Sequence, residues 1–488
     1  MTSLADAKPR TPVRLGGFQR PVLRRADVRA LARRRVRAGF DSAETTDNNR
    51  RHWAHADALS ADAAASPEVR RTLRNRARYE VANNSYARGI VLTLANDAVG
   101  TGPRLQMLAA DPALNRDVET AFHGWSQAIG LPQKLRTMRM ARSQDGESFG
   151  FLAFNPAVEH DVQIDLLLVE ADQVASPLRH ARDENEIDGV VLDDFGNPIA
   201  YRVMKDHPGG AYRMGFEDFT VIPAPSMIHA FRQDRPGQHR GIPEITPALP
   251  LFAQLRRFTL AVLSAAESAA NFAGILYTDA PANGEADSVE PMDLIELERN
   301  MLLTMPGGWK MSQVEPMQPA TTYAEFKKEL LNEIARCLNM PFNIAAGNSS
   351  GYNYASGRLD HQTYFKSIRV DQAFMASRIL DRVLIAWLRE YAVLTRNLDL
   401  LRALPPHQWF WDGFEHVDPA KEASAQETRL RNHTTTLAHE FARQGKDWEM
   451  ELRQRAKEVA LMKELGLSEE AKPQSGPAAT PQETETDE

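Results

Sequence analysis

A serine flanked by glycines is the first feature to weigh for chemistry. Gly146-Glu147-Ser148-Phe149-Gly150 is a literal G-x-S-x-G, the pattern in which a strained strand-to-helix turn lifts a serine hydroxyl beside oxyanion donors. Asp412 and His416 follow it in the chain order of a Ser-Asp-His triad. The context is reversed, because helical periodicity precedes the motif and the alternating run FGFLAF follows it. The five residues therefore read as a helix-to-strand turn, with a serine hydrolase acting through Ser148 as the alternative. Asp161, Asp165, Glu170 and Asp172 lie within twelve residues, a density that two-metal nuclease sites share. They do not keep one strand register, and surface carboxylates are the expectation. His52 and His55 have no third ligand near, and His439-Glu440 begins H-E-x-x-H but ends on Arg443. Cys337 falls on an apolar helical stripe as a small packed hydrophobe. Gly100 and Gly102 lack the third glycine of a dinucleotide fingerprint, and Gly445-Lys446 is followed by Asp447, so no phosphate cradle is present. The chain is expected to have no catalytic residues, no metal and no cofactor.

The elements that carry these residues change character along the chain. Ser66 and Pro67 open a helix over 67–97, which stops at the breaker cluster Val99-Gly100-Thr101-Gly102-Pro103. Helices follow over 112–128 and 132–143. From Phe149 to Tyr201 the period falls to two, giving strands FGFLAF, VQIDLLLV, GVVLDD and PIAYRVM, the last two joined by the turn Asp193 to Pro198. FTVI and SMIHAF add two short strands. Thr246-Pro247 then supplies an N-cap and first-turn proline for a helix striped by Phe252, Leu255, Phe258, Val262, Ala265, Ala269 and Phe272. Phe258 to Leu276 is the most apolar run, but Glu267 and Asn271 interrupt it. It reads as a buried Ala-rich helix and not as a membrane span. Tyr323, Phe326, Leu330, Ile334 and Leu338 mark a second helix ended by Pro341, and the polar stretch NIAAGNSSGYNYASG opens a third from about Ser356 to Thr395, striped by Phe365, Ile368, Met375, Ile379, Val383 and Trp387. Asp418-Pro419 caps a helix that Gly445 breaks, and Asp447 caps another that ends at Gly466.

Length and charge set the outer bounds. A chain of 488 residues, 43% hydrophobic and 25% charged, is globular with a soft prior of about three domains. One cysteine excludes an intrachain disulfide and any multi-cysteine metal site, and fits a compartment that does not use disulfides. The N-terminal stretch has no apolar run of the kind that directs secretion. The net charge of −7 is uneven: residues 1–38 carry +9, residues 468–488 carry −5, and the body between is −11. The two ends read as disordered arms of opposite sign. So acidic a body argues against a general nucleic-acid binder.

Taken in order, several segments resemble the lambda-type portal proteins of tailed phages. They are FDSAETTDNNRRHWAHAD, the LRNRARYEVANNSYARGIVLTLANDAVGTGPRLQM signature, the D-G-E at Asp145, LLLVEADQV and the hairpin IDGVVLDDFGNPIAYRV. IHAFRQDRPGQHRGIPEITPAL follows with its R-P-G-Q-x-R-G-x-P core, then NYASGR, DPAKEASAQ and GKDWEMELRQRAKE. The resemblance covers about 39–466. Two positions depart from it: Ala355 stands where serine is common, and His433 where a glycine is usual.

The resemblance implies an α+β portal subunit and a ring, usually of twelve copies, at one capsid vertex. That ring is the channel for packaging and ejecting double-stranded DNA. It docks the terminase large subunit, then head-completion or tail connector proteins, among the major capsid or scaffold protein, in the virion and, during assembly, in the host cytoplasm. No enzyme activity and no membrane are implied. Projected onto this chain, 1–38 is the basic arm, 39–245 the first part of a mixed α/β wing, and 246–273 and 321–339 the two stem helices around a clip at 274–320. The second part of the wing is 340–415, with a channel loop at 341–355 and a long helix at 356–395; 416–466 is an α-helical crown and 467–488 the acidic tail. By the same analogy Asn348, Ser349, Ser350, Gly351, Tyr352, Asn353 and Tyr354 face DNA, and Glu296, Glu298 and Arg299 on the clip meet terminase or adaptor. A capsid adaptor that forms no channel is the remaining alternative.

Overall fold

The structure, a computed structural model, describes residues 46–47, 50–176, 185–210, 218–271, 275–278, 309–312, 320–351, 353–401, 404–413 and 419–467. The chain divides into two units at Leu59. In the first, the described residues make turns, one closed by the Ala56 N–H donating to the Trp53 carbonyl at 3.1 Å. The remainder concerns the second unit, Ser60–Glu488.

Helices α1 (Pro67–Asn83) and α2 (Ser85–Val99) occupy the stretch where one helix was expected. The break is at Asn84, which leaves helical geometry at φ −120° so that its side chain accepts the N–H groups of Tyr86 and Ala87. A capped junction thus replaces a continuous rod. Strand β1 (Arg104–Met107) follows, then α3 (Pro112–Ala128) and α4 (Leu131–Gln144), both within one residue of the expected bounds.

The period-two region folds as two antiparallel sheets. β2 (Glu147–Phe154), β3 (Ile164–Val169) and β8 (Met227–Phe231) pair in the order β3–β2–β8. β4 (Glu186–Ile187), β5 (Val190–Leu192), β6 (Pro198–Met204) and β7 (Phe219–Pro223) form a four-stranded meander. The β5–β6 turn closes as expected: Asp193 Oδ1 accepts the N–H groups of Phe195 and Asn197 at 2.9 and 2.7 Å, and Gly196 takes φ +83°. Sequence periodicity does not show that β1 pairs with β11 (His407–Phe410), since four residues are too few to display a period.

Three apolar cores lie among the described residues, and two of them hold the helices. The first packs Phe122, Trp125 and Leu135 against β3, β8 and Trp387. The second joins α1 and α2 to Phe252, Leu255, Leu331, Ile334, Tyr364 and Ile368 from the long helices. The smallest packs Val190, Tyr201, Val203 and Ile222 of the meander on Phe149 and Met227. Helix α5 (Leu249–Asn271) follows a 3-10 turn at Thr246–Ala248. That turn takes Thr246 out of the capping position, and its hydroxyl donates instead to the Pro243 carbonyl at 2.6 Å. β9 (Ile275–Thr278) and β10 (Trp309–Ser312) pair antiparallel, and α6 (Ala320–Arg336) returns beside α5, with Phe258 ring centroids 5.6 Å from Tyr323 and 4.8 Å from Phe326. The expected burial of the Ala-rich run is not met by its described side chains: the buried Phe252 and Leu255 precede it, and Phe258 is half-buried. Farther along, Leu260 and Leu263 are 59% and 55% exposed.

A short helix α7 (Phe342–Ala346) leads through a polar turn to α8 (Tyr354–Met375). One π turn at Ala376–Leu380 joins α8 to α9 (Asp381–Thr395) without a break, and Ile368, Met375, Ile379, Val383 and Trp387 are all buried along that rod as the stripe requires. The last described segment holds α10 (Pro419–Arg431), α11 (Leu437–Arg443) and α12 (Trp448–Glu464). One helix was expected as far as Gly445. The chain turns earlier, at His433, whose φ of +56° lies in the left-handed region that glycine adopts without strain. Among the described residues, no helix is long and apolar enough to cross a membrane.

Candidate functional site

Helix α1 places arginines on one face at four-residue spacing, Arg70, Arg74 and Arg78. They point at carboxylates from segments that are remote in sequence. Glu147, at the first position of β2, is completely buried. Its Oε1 accepts from Arg240 Nη2 at 2.6 Å and Nε at 3.0 Å and from Arg70 Nη1 at 3.4 Å; its Oε2 accepts from the Gly241 N–H at 2.9 Å and faces His229 Nε2 at 3.1 Å. Arg240 Nη1 also donates to the Val174 carbonyl at 3.0 Å and to the Asp188 carbonyl, and Arg70 pairs with the Asp188 carboxylate. Burial on its own would raise the Glu147 carboxyl; Arg240, the His229 hydrogen bond and Arg70 outweigh it and hold the group well below the usual carboxylate range. Burial keeps His229 on the neutral side, its ring stacked between Phe149 at 4.2 Å and Phe231 at 4.5 Å. A neutral ring facing a carboxylate donates from Nε2.

Glycine geometry explains why this knot closes. Gly146 has φ +92°, and a Cβ there would lie 2.5 Å from the Ile242 carbonyl carbon. A Cβ on Gly241 would lie 2.1 Å from the Gly146 carbonyl oxygen. The D-G-E and R-G-x-P segments touch backbone to backbone, and side chains at either glycine would separate Glu147 from Arg240.

A second cluster lies beside the first. Glu244 accepts from Arg139 Nη1 at 2.8 Å and Arg142 Nε at 2.9 Å, and the same arginines hold Asp371 of α8. Burial opposes ionisation of Glu244, but Arg139, Arg142 and Arg232 together bring it down to about 2. The segment leading into α5 and the last turn of α8 are therefore pinned to one helix, α4.

The acidic cluster of the sequence is a surface feature only at Asp161 and Glu170, which are exposed. Asp165 is buried and paired with Lys134, and Asp172 pairs with Arg74 at 3.1 Å and Arg78 at 2.8 Å. Glu170, Asp172 and His207 bring ligand-type atoms within 4.8 Å of one another, the only such group among the described residues. The Arg78 guanidinium already sits at 3.2 Å from Glu170 and 2.8 Å from Asp172, so the charge a cation would neutralise is met. Arginine spacing at i, i+4 and i+8 was the signal in the sequence that could have revealed this network.

Ser148 lies inside β2 opposite Ala230, buried, with its hydroxyl 3.4 Å from the Ala230 carbonyl. Asp412 accepts from the Thr101 N–H and hydroxyl, at 2.5 and 2.8 Å. His416 lies outside the described residues. The serine is thus on a strand and not at an elbow, as the helix-to-strand reading expects. Cys337 packs against the second core, and burial pushes its thiol up to about 11. Glu440 is buried and bonded by Arg429 at 3.0 Å. Of the loop residues, Asn348, Ser349, Ser350 and Gly351 form an exposed turn, closed by the Ser350 N–H donating to Asn348 Oδ1 at 2.9 Å. Asn353 is exposed and its carbonyl accepts from Gly357, while Tyr354 is the first residue of α8. Tyr352, Glu296, Glu298 and Arg299 lie outside the described residues.

Comparison with known proteins bears on the same segments. The family described as phage portal protein, lambda family, matches residues 46–372, about two thirds of the chain. The chain is 26% identical over 427 residues to a "probable portal protein" of Halomonas phage phiHAP-1, covering 81% of each. It is similar to a chain in the neck of an empty gene transfer agent particle (TM-score 0.46, 14% identity, 77% of this chain and 94% of that one). It is also similar to an HK97 family phage portal protein from Corynebacterium diphtheriae (TM-score 0.29, 16% identity, 60% and 85%). The chain belongs to the lambda family of phage portal proteins, which are structural proteins and not enzymes.

Proposed function

We propose that copies of this chain close into a ring, of twelve subunits, at one capsid vertex, and that the ring is the channel through which double-stranded DNA is packaged and ejected. The terminase large subunit supplies the motor and docks first; head-completion or tail connector proteins take its place afterwards, with the major capsid or scaffold protein around the ring. In this reading the sheets with α1–α4 and α7–α9 are the wing, α5 and α6 the stem, β9 and β10 part of the clip, and α10–α12 the crown. The ring resides in the virion and assembles in the host cytoplasm.

One observation carries the reading. The α5–α6 pair stands out from the second core with Leu260, Leu263 and Phe326 more than half exposed. Apolar side chains so placed call for a further copy, and a head-to-tail contact between copies closes a ring. The polar turn from Asn348 to Asn353 holds no cation, which suits a surface past which DNA slides, because each engaged lysine or arginine adds phosphate affinity. The test is native mass spectrometry and negative-stain microscopy of the full chain from low to high salt. Closed rings are expected. Monomers or dimers under every condition would overturn the reading and leave the non-channel adaptor.

A further inference from the structure

The reading of a head-to-tail ring leaves open which surfaces meet, and two unpaired rows of charge answer it. Helix α6 exposes Glu325, Glu329 and Glu333 at four-residue spacing, with no ion pair inside the chain among the described residues. Helix α8 exposes Arg358, Lys366 and Arg369 on one face, also without a carboxylate partner, and Gln362 between them. Single exposed charges without a partner occur elsewhere in the unit; what sets these two apart is that like charges recur along one helix face, and that the two rows are of opposite sign. Each row has exposed apolar side chains along one flank. Phe326 is 52% exposed beside the acidic row, above an open cavity lined by Glu329, Leu330, Glu333 and Cys337; Leu359 and Val370, 66% and 65% exposed, flank the basic row.

We propose that the acidic row of α6 in one copy docks antiparallel on the basic row of α8 in the next. The inference rests on the ring reading and names its contact. The spacing favours it: Glu325 and Glu333 are eight residues apart, as are Arg358 and Lys366, about 12 Å along a helix in each case. Running antiparallel, Glu333 meets Arg358, Glu329 meets Gln362 and Glu325 meets Lys366. Equivalent flanks of two antiparallel helices fall on the same side, so Phe326 lies between Leu359 and Val370. A parallel arrangement would set Arg336 against Arg369, like charge on like. Charge rows fix register and partner, while the apolar flank supplies the desolvated contact. Double-stranded DNA is the other polyanion that could take the basic row, but it leaves the matching acidic row and its apolar flank unexplained.

Charge reversal tests this with the full chain. One variant carries Glu325→Lys and Glu333→Lys, a second Arg358→Glu and Lys366→Glu, a third all four changes. Each of the first two alone is expected to need a concentration about tenfold or more higher for half-assembly. Mixed together they are expected to form rings of alternating subunits, since each then meets an opposite row, and the fourfold variant is expected to assemble alone. Circular dichroism and the melting of the monomer show whether each variant folds; recovery in the mixture rules out misfolding as the cause. Wild-type rings alongside undiminished rings of both two-site variants overturn this contact but leave the ring. Normal rings with loss of DNA binding in the second variant alone assign the basic row to DNA and also overturn it. If the wild type forms no ring at all, the functional reading fails first.

Discussion

Glu147→Gln keeps the shape of the knot and removes its charge. The native carboxylate receives Arg240 at 2.6–3.0 Å, Arg70 at 3.4 Å, the Gly241 N–H at 2.9 Å and His229 at 3.1 Å. A glutamine offers one oxygen where the carboxylate offers two, and its amide nitrogen points a donor at donors. It leaves two buried guanidinium groups with Asp188 as their remaining close carboxylate partner. Unpaired buried donors cost about 1–3 kcal/mol each, and breaking a buried ion pair costs about 3–5 kcal/mol. These describe one event, so the expected loss is about 4 kcal/mol and not their sum. Urea unfolding at pH 7, followed by the fluorescence of the buried Trp125 and Trp387, measures it. Glu147 has its folded value depressed, so its contribution is present above the ordinary 4.5 and is lost as pH falls through the folded value. The gap between wild type and variant should therefore hold from pH 8 down to about 5 and narrow in acid. Arg240→Met completes a cycle: with both groups gone, no buried charge is stranded, and the double variant should lose at least about 2 kcal/mol less than the two single losses added. A loss under about 1 kcal/mol for Glu147→Gln, or a gap that ignores pH, refutes the reasoning.

Further outcomes follow from the same geometry. Glu244, brought from 4.5 to about 2, should contribute about 3 kcal/mol above pH 4.5 and lose it between 4.5 and 2; Glu244→Gln should flatten that acid limb in urea titrations across pH. Gly241→Ala drives a Cβ to within 2.1 Å of the Gly146 carbonyl oxygen and should lower stability by about 3 kcal/mol or more, read by thermal melting. His433→Gly relieves a left-handed residue and should leave stability unchanged or raise it by up to about 1 kcal/mol, whereas His433→Val should lower it. Deleting Gly347–Tyr354 should permit ring assembly but impair DNA packaging or retention, and normal filling of heads would refute the loop assignment.

Long elements were legible because their signals are periodic. The stripe from Phe365 to Trp387 and the alternation in β2, β3 and β6 reproduce as helix and strands with small boundary errors. Junctions were not, since Asn84 and His433 act through one hydrogen bond or one backbone angle that composition does not announce. The knot was missed for a different reason. Glu147 looked like a free position in a serine motif, and Asp172 like surface charge, because their partners Arg240 and Arg74 stand 93 and 98 positions away. Charge rows on α6 and α8 are visible as spacing, but only the folded arrangement shows that they find no ion pair among the described residues.

The pairing of early residues with late ones has a consequence for how the protein is made. Thr101 waits for Asp412, 311 residues later, Tyr364 closes on Asp97 across 267, and Gln106 meets Asp447 across 341. At about 5–20 residues per second, the ribosome takes roughly 15–60 s to deliver Asp412 after Thr101. During that interval the face of β3 and the Trp125 side of α3 stand without the Trp387 helix that covers them. Nascent chains are then sticky for longer than most small domains, and several are made close together on one message. Yield should therefore respond to slower growth and to chaperone supply during synthesis more than to any change in the finished subunit.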